Sequence, residues 1–131
     1  MTSRAIRSAL VSVALLLAAC GSVKSPTEPQ GGGHSVAVSN FQFTPSQLTV
    51  AVGDTVTWTN DGGFHNVAAD DASFRCAEGC DREGGDGAPS AATWSFTRTF
   101  TTPGVVRYYC EVHGAPGGSG MSGTIVVTGG H

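Results

Sequence analysis

The sequence predicts an all-β domain, a β-sandwich of about seven strands, and three observations support this prediction. Short β-prone segments recur between turn signals, and bulky apolar side chains alternate within several of them. No segment shows an apolar period of 3.6 residues over a helical length. Turns such as Gly53-Asp54 and Thr102-Pro103-Gly104 lie at intervals suited to consecutive strands, and two facing sheets are the usual outcome of such a pattern.

The predicted strands follow one another from His34 onward. They cover residues 34–38, 47–52, 55–60, 64–68, 93–100, 105–110 and 121–128. In a strand, alternate side chains lie on the same face, so alternating bulky residues indicate one buried face. This alternation is clearest in three sets: Leu48, Val50 and Val52; Val56 and Trp58; and Trp94, Phe96 and Phe100.

Residues 70–92 break the strand pattern. They contain two cysteines, several glycines and six acidic residues, with few core-forming side chains, so we expect a surface excursion. Cys76 and Cys80 could be read as part of a second metal site, but this Cys-x-x-x-Cys pair has no histidine nearby and supplies only two ligands. We therefore predict a disulfide between Cys76 and Cys80 that shapes the excursion.

The first residues have the features of an export signal. Two arginines precede an apolar run over residues 9–19 that is too short to cross a bilayer stably, which predicts a signal peptide at residues 1–19. The run ends in Leu17-Ala18-Ala19-Cys20, which resembles the lipobox of bacterial lipoproteins. We therefore expect Cys20 to be acylated and to anchor the protein to the cell membrane, facing the periplasm or the outside.

The segment after the signal peptide has the composition of a linker. Residues 20–33 are rich in Gly, Ser and Pro and are expected to form a flexible tether before a domain at residues 34–131. Loss of Arg4 and Arg7 with the signal peptide would change the formal charge from −3 to −5. This acidic balance disfavours nucleic acid and direct adhesion to anionic lipid, and it favours basic protein partners.

Four side chains in three separate places have the chemistry of metal ligands. His65 lies in one predicted strand, Cys110 and His113 lie at the end of another, and Met121 opens the last. Taken singly, such residues are usually solvated or part of a core. Together, one thiolate, two imidazoles and one thioether are the ligand set of a blue-copper centre. Zinc could use the sulfur and nitrogen donors, but a thioether is a poor zinc ligand, so copper is predicted.

These residues stand in a longer pattern that resembles plastocyanin and related cupredoxins over residues 34–128. The pattern comprises Phe43-Thr44-Pro45-Ser46-Gln47, Val52-Gly53-Asp54-Thr55-Val56, His65-Asn66, Tyr108-Tyr109-Cys110-x-x-His113, Gly120-Met121-x-Gly123 and Ile125-Val126-Val127. The resemblance implies a Greek-key β-sandwich with one copper ion at one end, bound by His65, Cys110, His113 and Met121. It also implies that Asn66 steadies the thiolate by hydrogen bonding.

The segment between the last two ligands departs from the family pattern. Seven residues separate His113 from Met121, where plastocyanin has four, so this loop carries a three-residue insertion of Gly and Pro character. Met121 is still the expected axial ligand, because it is the only methionine after the signal peptide and an apolar strand follows it. A backbone carbonyl or an open coordination position is the alternative.

The resemblance implies a monomeric one-electron carrier, not an enzyme, that serves exported redox proteins such as a cytochrome or an oxidase. Electrons would pass through the exposed edge of His113, and Tyr109 would mark a second, remote site where acidic residues dock a basic partner. A copper enzyme such as a nitrite reductase would need a second copper or an open position, which one small domain does not offer. Copper binding and delivery in the cell envelope is the alternative function. His34 and His131 are interpreted as solvated.

Overall fold

The computed structural model describes residues 31–80 and 87–129, which form nine β-strands within these ranges. The strands are β1 (Gly33–Ser39), β2 (Gln42–Thr44), β3 (Gln47–Ala51), β4 (Thr55–Asn60), β5 (Val67–Ala69), β6 (Arg75–Cys76), β7 (Trp94–Thr99), β8 (Gly104–Ala115) and β9 (Ser119–Thr128). The all-β prediction is confirmed, and each predicted strand overlaps an observed one. The additional strands β2 and β6 are only three and two residues long. The described ranges contain no helix that is long and apolar enough to span a membrane.

The strands build two mixed sheets around a shared core. One sheet has the order β2-β1-β4-β7, and the other has the order β3-β9-β8-β5-β6. In the first sheet β1 pairs in parallel with β4, and in the second β3 pairs in parallel with β9. The chain changes sheet between β2 and β3, β3 and β4, β4 and β5, β6 and β7, and β7 and β8. These crossings tie the two layers together, as expected for a Greek-key sandwich.

Trp58 lies at the centre of the core and joins the two sheets. Its ring stacks on Phe96 of its own sheet at a centroid distance of 5.3 Å and meets the edge of Tyr108 of the other sheet at 5.4 Å. Such aromatic pairs add to the stability that burial alone provides. Burial raises the pKa of Tyr108 to about 12, because the charged phenolate is disfavoured away from water.

Residues 70–92 contribute more to the core than their composition predicts. Phe74, Cys76 and Ala77 are buried, and β6 extends the five-stranded sheet by pairing with β5. A single aromatic residue among charged neighbours leaves no periodic signal, which is why the sequence pattern missed Phe74. A disulfide joins Cys76 to Cys80. The stretch is therefore partly a sheet edge and not wholly a surface excursion.

His34 is not simply solvated, because its Nε2 lies 2.8 Å from Oδ2 of Asp54. The same carboxylate accepts hydrogen bonds from the backbone amides of Gly32 and Ala51. The Ala51 amide first, and then His34 and Gly32, hold the pKa of Asp54 below its usual value. These bonds fix the start of β1 beside the turn that precedes β4. The proposed signal peptide, Cys20, most of the tether and His131 lie outside the described residues.

Candidate metal centre

A bulge in β8 turns the side chains of Cys110 and His113 toward the same point. In a regular strand, residues three apart point to opposite faces. The pairing of β8 with β9 shifts register between Tyr109 and Gly114, and such a bulge re-aims the side chains within it. The Nδ1 atom of His113 therefore lies 3.7 Å from the sulfur of Cys110.

His65 reaches the same point from the loop between β4 and β5. Its backbone exchanges two hydrogen bonds with Ser90, at 3.0 and 3.2 Å. Gly63 takes a φ of +88°, and a Cβ at this position would lie only 2.5 Å from Nε2 of His65. The backbone of this loop is therefore packed directly against the imidazole, which leaves the ring little freedom to turn.

Three donor atoms converge at one buried point. Nδ1 of His65 lies 3.7 Å from the sulfur of Cys110 and 3.2 Å from Nδ1 of His113, and the three ligand atoms all lie within 4.8 Å of one another. A metal bonded to nitrogen at about 2.0 Å and to sulfur at about 2.3 Å in a trigonal plane would separate these atoms by roughly 3.5–3.7 Å. The two distances to the sulfur match this geometry and the distance between the two nitrogens is slightly shorter, so the three side chains can share one metal ion.

Burial favours the neutral imidazole that a metal needs. His65 and Cys110 are fully buried, whereas His113 is partly exposed. Burial first, and the nearby His113 second, lower the pKa of His65 below its usual value. A neutral imidazole is the form that binds metal, so burial prepares His65 for a cation, whereas the Cys110 thiol would lose its proton when the metal binds.

Met121 lies at the start of the apolar part of β9 and is only 1% exposed. The next residue, Ser122, pairs with Tyr109, which directly precedes Cys110 in β8. Met121 and Cys110 belong to one buried cluster, and the methionine completes a His, Cys, His and Met set of the kind found in type 1 copper sites.

The residues between His113 and Met121 form a β-hairpin rather than an irregular loop. Gly114 pairs with Gly120 and Ala115 with Ser119, so β8 and β9 continue beyond the ligands. A Cβ at Gly120 would collide with the carbonyl of His113, and one at Gly114 would collide with the carbonyl of Met121. The two strands therefore approach closely beside the ligands, which explains the glycines there.

Asn66 forms hydrogen bonds that differ from those expected. Its Oδ1 accepts a bond of 2.9 Å from the amide of Glu111, and its Nδ2 donates to the Glu111 carboxylate and to the carbonyl of Gly87. Within the described residues, none of the hydrogen bonds of Asn66 reaches the sulfur of Cys110. The described hydrogen bonds of Asn66 therefore hold the backbone next to the sulfur and not the sulfur itself.

His113 lies beneath an apolar surface. The ring of Phe41, which is 68% exposed, meets His113 edge-on at a centroid distance of 4.9 Å. Phe64, next to His65 in sequence, is also largely exposed. No sequence pattern points to Phe41, because the contact depends on how the turn between β1 and β2 folds over the end of the sandwich.

Tyr109 is half-buried and pairs with Ala68 of β5, which in turn pairs with Arg75 of β6. Arg75 forms an ion pair of 2.9 Å with Glu111, two residues after Tyr109 on the same face of β8. The described surroundings of Tyr109 thus include a paired positive charge. The acidic residues Asp81, Glu83 and Asp86 lie outside the described residues.

Comparison with known proteins agrees with the site. The family described as copper binding proteins of the plastocyanin/azurin family matches residues 32–128. The chain is 37% identical over 86 residues to a chloroplastic plastocyanin of Tetradesmus obliquus, covering 65% of this chain and 57% of that protein. It is 37% identical over 94 residues to a halocyanin of Natronomonas pharaonis, covering 68% and 50%. The match thus spans about half the length of these two relatives.

A solved structure shows the same fold. Oxidized plastocyanin from Dryopteris crassirhizoma superposes with a TM-score of 0.53 at 26% identity, covering 72% of this chain and 99% of that one. Cupredoxins are electron-transfer copper proteins, and plastocyanin-family homologues are electron carriers, not enzymes. The predictions of a copper cofactor and of a cupredoxin fold are confirmed. The chain belongs to the plastocyanin/azurin family of copper-binding proteins.

Proposed function

We propose that this protein carries single electrons through one type 1 copper ion bound by His65, Cys110, His113 and Met121. The observation that carries the proposal is the convergence of two imidazole nitrogens on one buried thiol at 3.7 Å. A soft thiolate favours Cu(I) and imidazole accepts both oxidation states, so copper held there would change its charge with little rearrangement.

The exposure of the ligands indicates how electrons would pass. His65, Cys110 and Met121 are buried, whereas the His113 ring is partly exposed. Phe41 contacts this ring and Phe64 is largely exposed, so a partner's cofactor could approach His113 without displacing water from charged groups. We assign electron exchange to this surface. Delivery of copper ions is disfavoured, because the donors that would release the ion are buried.

Copper titration with visible spectroscopy tests the proposal. We expect one copper ion per chain, an intense band from the thiolate and a reversible one-electron redox titration. A colourless complex, or a stoichiometry other than one, would contradict a type 1 site. Transfer of the bound copper to an acceptor protein faster than electron exchange would favour copper delivery instead.

The cellular setting is part of the proposal and rests on the sequence. The signal peptide and Cys20 would place the domain on the outer face of a cell membrane, where it would serve a cytochrome or an oxidase as a monomer. Cys20→Ala is expected to release the protein from the membrane fraction or to leave an unprocessed precursor, since each buried acyl methylene contributes about 0.8 kcal/mol. Unchanged membrane association would contradict the lipid anchor.

Tyr109 remains the candidate for a second electron-transfer site that docks a basic partner. If the acidic residues Asp81, Glu83 and Asp86 lie beside Tyr109, neutralising them together should slow reduction by a basic cytochrome at low salt and weaken its dependence on ionic strength, while colour and potential stay nearly unchanged. Identical rates and identical salt dependence in the variant and the wild type would assign these residues to ordinary solvated surface.

A further inference from the structure

The ligand-bearing hairpin is attached to the rest of the sandwich at its tip. The backbone amide of Gly117 donates a hydrogen bond of 2.8 Å to Oδ2 of Asp70. Gly117 and Gly118 line one shallow surface cavity together with Arg107 and Thr124, which pair in the middle of the five-stranded sheet. The tip therefore folds back over the outer face of this sheet and does not project beyond its end.

Asp70 is a fixed point for this attachment. It directly follows β5, and its amide donates a hydrogen bond of 2.9 Å to the carbonyl of Arg107 in β8. Its second carboxylate oxygen, Oδ1, is buried and has no hydrogen-bond partner within the described residues. The bond from Gly117 is thus the one hydrogen bond that the Asp70 carboxylate accepts within the described residues.

The tip has few other means of holding its position. Gly117 and Gly118 both take a positive φ, at +90° and +85°, and neither carries a side chain that could pack. The base of the hairpin, by contrast, is tight, because Gly114 and Gly120 pair where neither has room for a Cβ. A displacement of the tip would therefore be passed to the residues flanking this pair, His113 and Met121.

We propose that Asp70 is a positioning residue for the metal site, which holds the hairpin so that His113 and Met121 keep their places. The identity of the two ligands rests on the proposed function, whereas the attachment of Gly117 to Asp70 does not. The hairpin that carries the three-residue insertion is thus attached to the sheet by the hydrogen bond from Gly117 to Asp70.

Three variants of the full chain test this proposal. Asp70→Ala removes the acceptor, and Asp70→Asn keeps an acceptor oxygen but removes the charge. Asp71→Ala is the matched control, because it removes a neighbouring carboxylate that accepts its described hydrogen bond from the amide of Ser73 and not from the hairpin. Hydrogen exchange of residues 114–120, measured before copper is added, should become roughly tenfold faster in Asp70→Ala. Exchange in the other two variants should match the wild type.

The same variants are then compared after loading with copper. Asp70→Ala should lose copper faster to a chelator and show a shifted reduction potential, while Asp70→Asn and Asp71→Ala behave like the wild type. Unchanged exchange in Asp70→Ala would overturn the attachment. Faster exchange with an unchanged potential and unchanged copper loss would overturn the positioning role, and an equal shift in Asp70→Asn would assign the effect to charge. A wild type that binds no copper would contradict the proposed function, yet the exchange experiment would still decide the attachment.

Discussion

The amide of Glu111 donates a hydrogen bond of 2.9 Å to Oδ1 of Asn66, so the residue after Cys110 is tied to the residue after His65. The Glu111 carboxylate also accepts hydrogen bonds from Asn66 and Arg75. His65 lies in the loop between β4 and β5, and Cys110 lies in β8. The bond between Asn66 and Glu111 fixes the distance between these two ligands through the backbone. The distance between the imidazole and the thiol is therefore set before any metal binds.

Asn66→Ala should weaken both the fold and the site. The change leaves the Glu111 amide and the Gly87 carbonyl without their side-chain partner, so the free energy of unfolding should fall by about 1–3 kcal/mol. The visible band of the copper-loaded protein should broaden as the distance between the ligands varies more. Thr57→Ala serves as a control, because its side-chain bond to Thr97 is exposed. An equal loss of stability in both variants would argue against the link.

Cys110→Ser should abolish the visible band while the fold survives, because a hydroxyl cannot replace the soft thiolate.

Met121→Leu should keep the band but raise the reduction potential, since removing a weak axial donor disfavours Cu(II) more than Cu(I). Visible spectra and redox titration of the two variants measure these effects. An unchanged potential in Met121→Leu would point to a backbone carbonyl or an open axial position.

Residue chemistry made the main features predictable from the sequence. Alternating apolar residues such as Val56 and Trp58 indicate buried strand faces whatever the partner strand is, so the sandwich could be predicted without knowing its pairing. Cys110 and His113 are three positions apart, and few sites other than a metal centre require that combination together with an upstream histidine. These signals are local, or depend only on residue type.

Contacts between distant parts of the chain could not be predicted in this way. Phe41 meets His113 only because the turn after β1 folds over the end of the sandwich. Asp70 meets Gly117 only because the hairpin folds back over the sheet. In both cases the partners are far apart in sequence, and neither residue type indicates a partner by itself.

Phe41 has a strained backbone and an exposed ring. Substitutions at this position should therefore affect the free energy of unfolding and the rate of electron transfer independently. Its φ is +68°, a left-handed conformation that a residue other than glycine adopts at a cost of about 1 kcal/mol or more. Phe41→Gly should relieve this strain and, because the ring is largely exposed, should leave the free energy of unfolding equal to that of the wild type or higher. Phe41→Ala removes the ring but retains the strain, so it should not be stabilised.

Both Phe41 variants should slow electron self-exchange, because the apolar contact beside His113 is lost where two molecules would meet. Nuclear magnetic resonance of partly oxidised samples measures this rate. If self-exchange were unchanged in both variants, electrons would have to leave by a route other than the surface around His113.

Protonation of the Asp54 carboxylate should make the domain less stable in acid. Hydrogen bonds from the Ala51 amide, from His34 and from the Gly32 amide lower the pKa of its carboxyl in the folded protein. A carboxyl whose pKa is lower when folded stabilises the fold fully above its unfolded pKa of about 4. This stabilisation is lost progressively as the pH falls below that value and through the folded pKa.

Asp54→Asn tests this origin of acid sensitivity. An amide offers only one acceptor oxygen, so the variant cannot serve His34 and both backbone amides as the carboxylate does. Urea unfolding of the metal-free protein should therefore show Asp54→Asn to be less stable than the wild type at pH 7, and the gap should narrow as the pH falls from about 4. A gap that stays constant down to pH 3 would mean that the carboxylate's charge contributes nothing. The stabilisation would then come from side-chain shape alone, and the acid sensitivity would have to arise from other carboxyl groups.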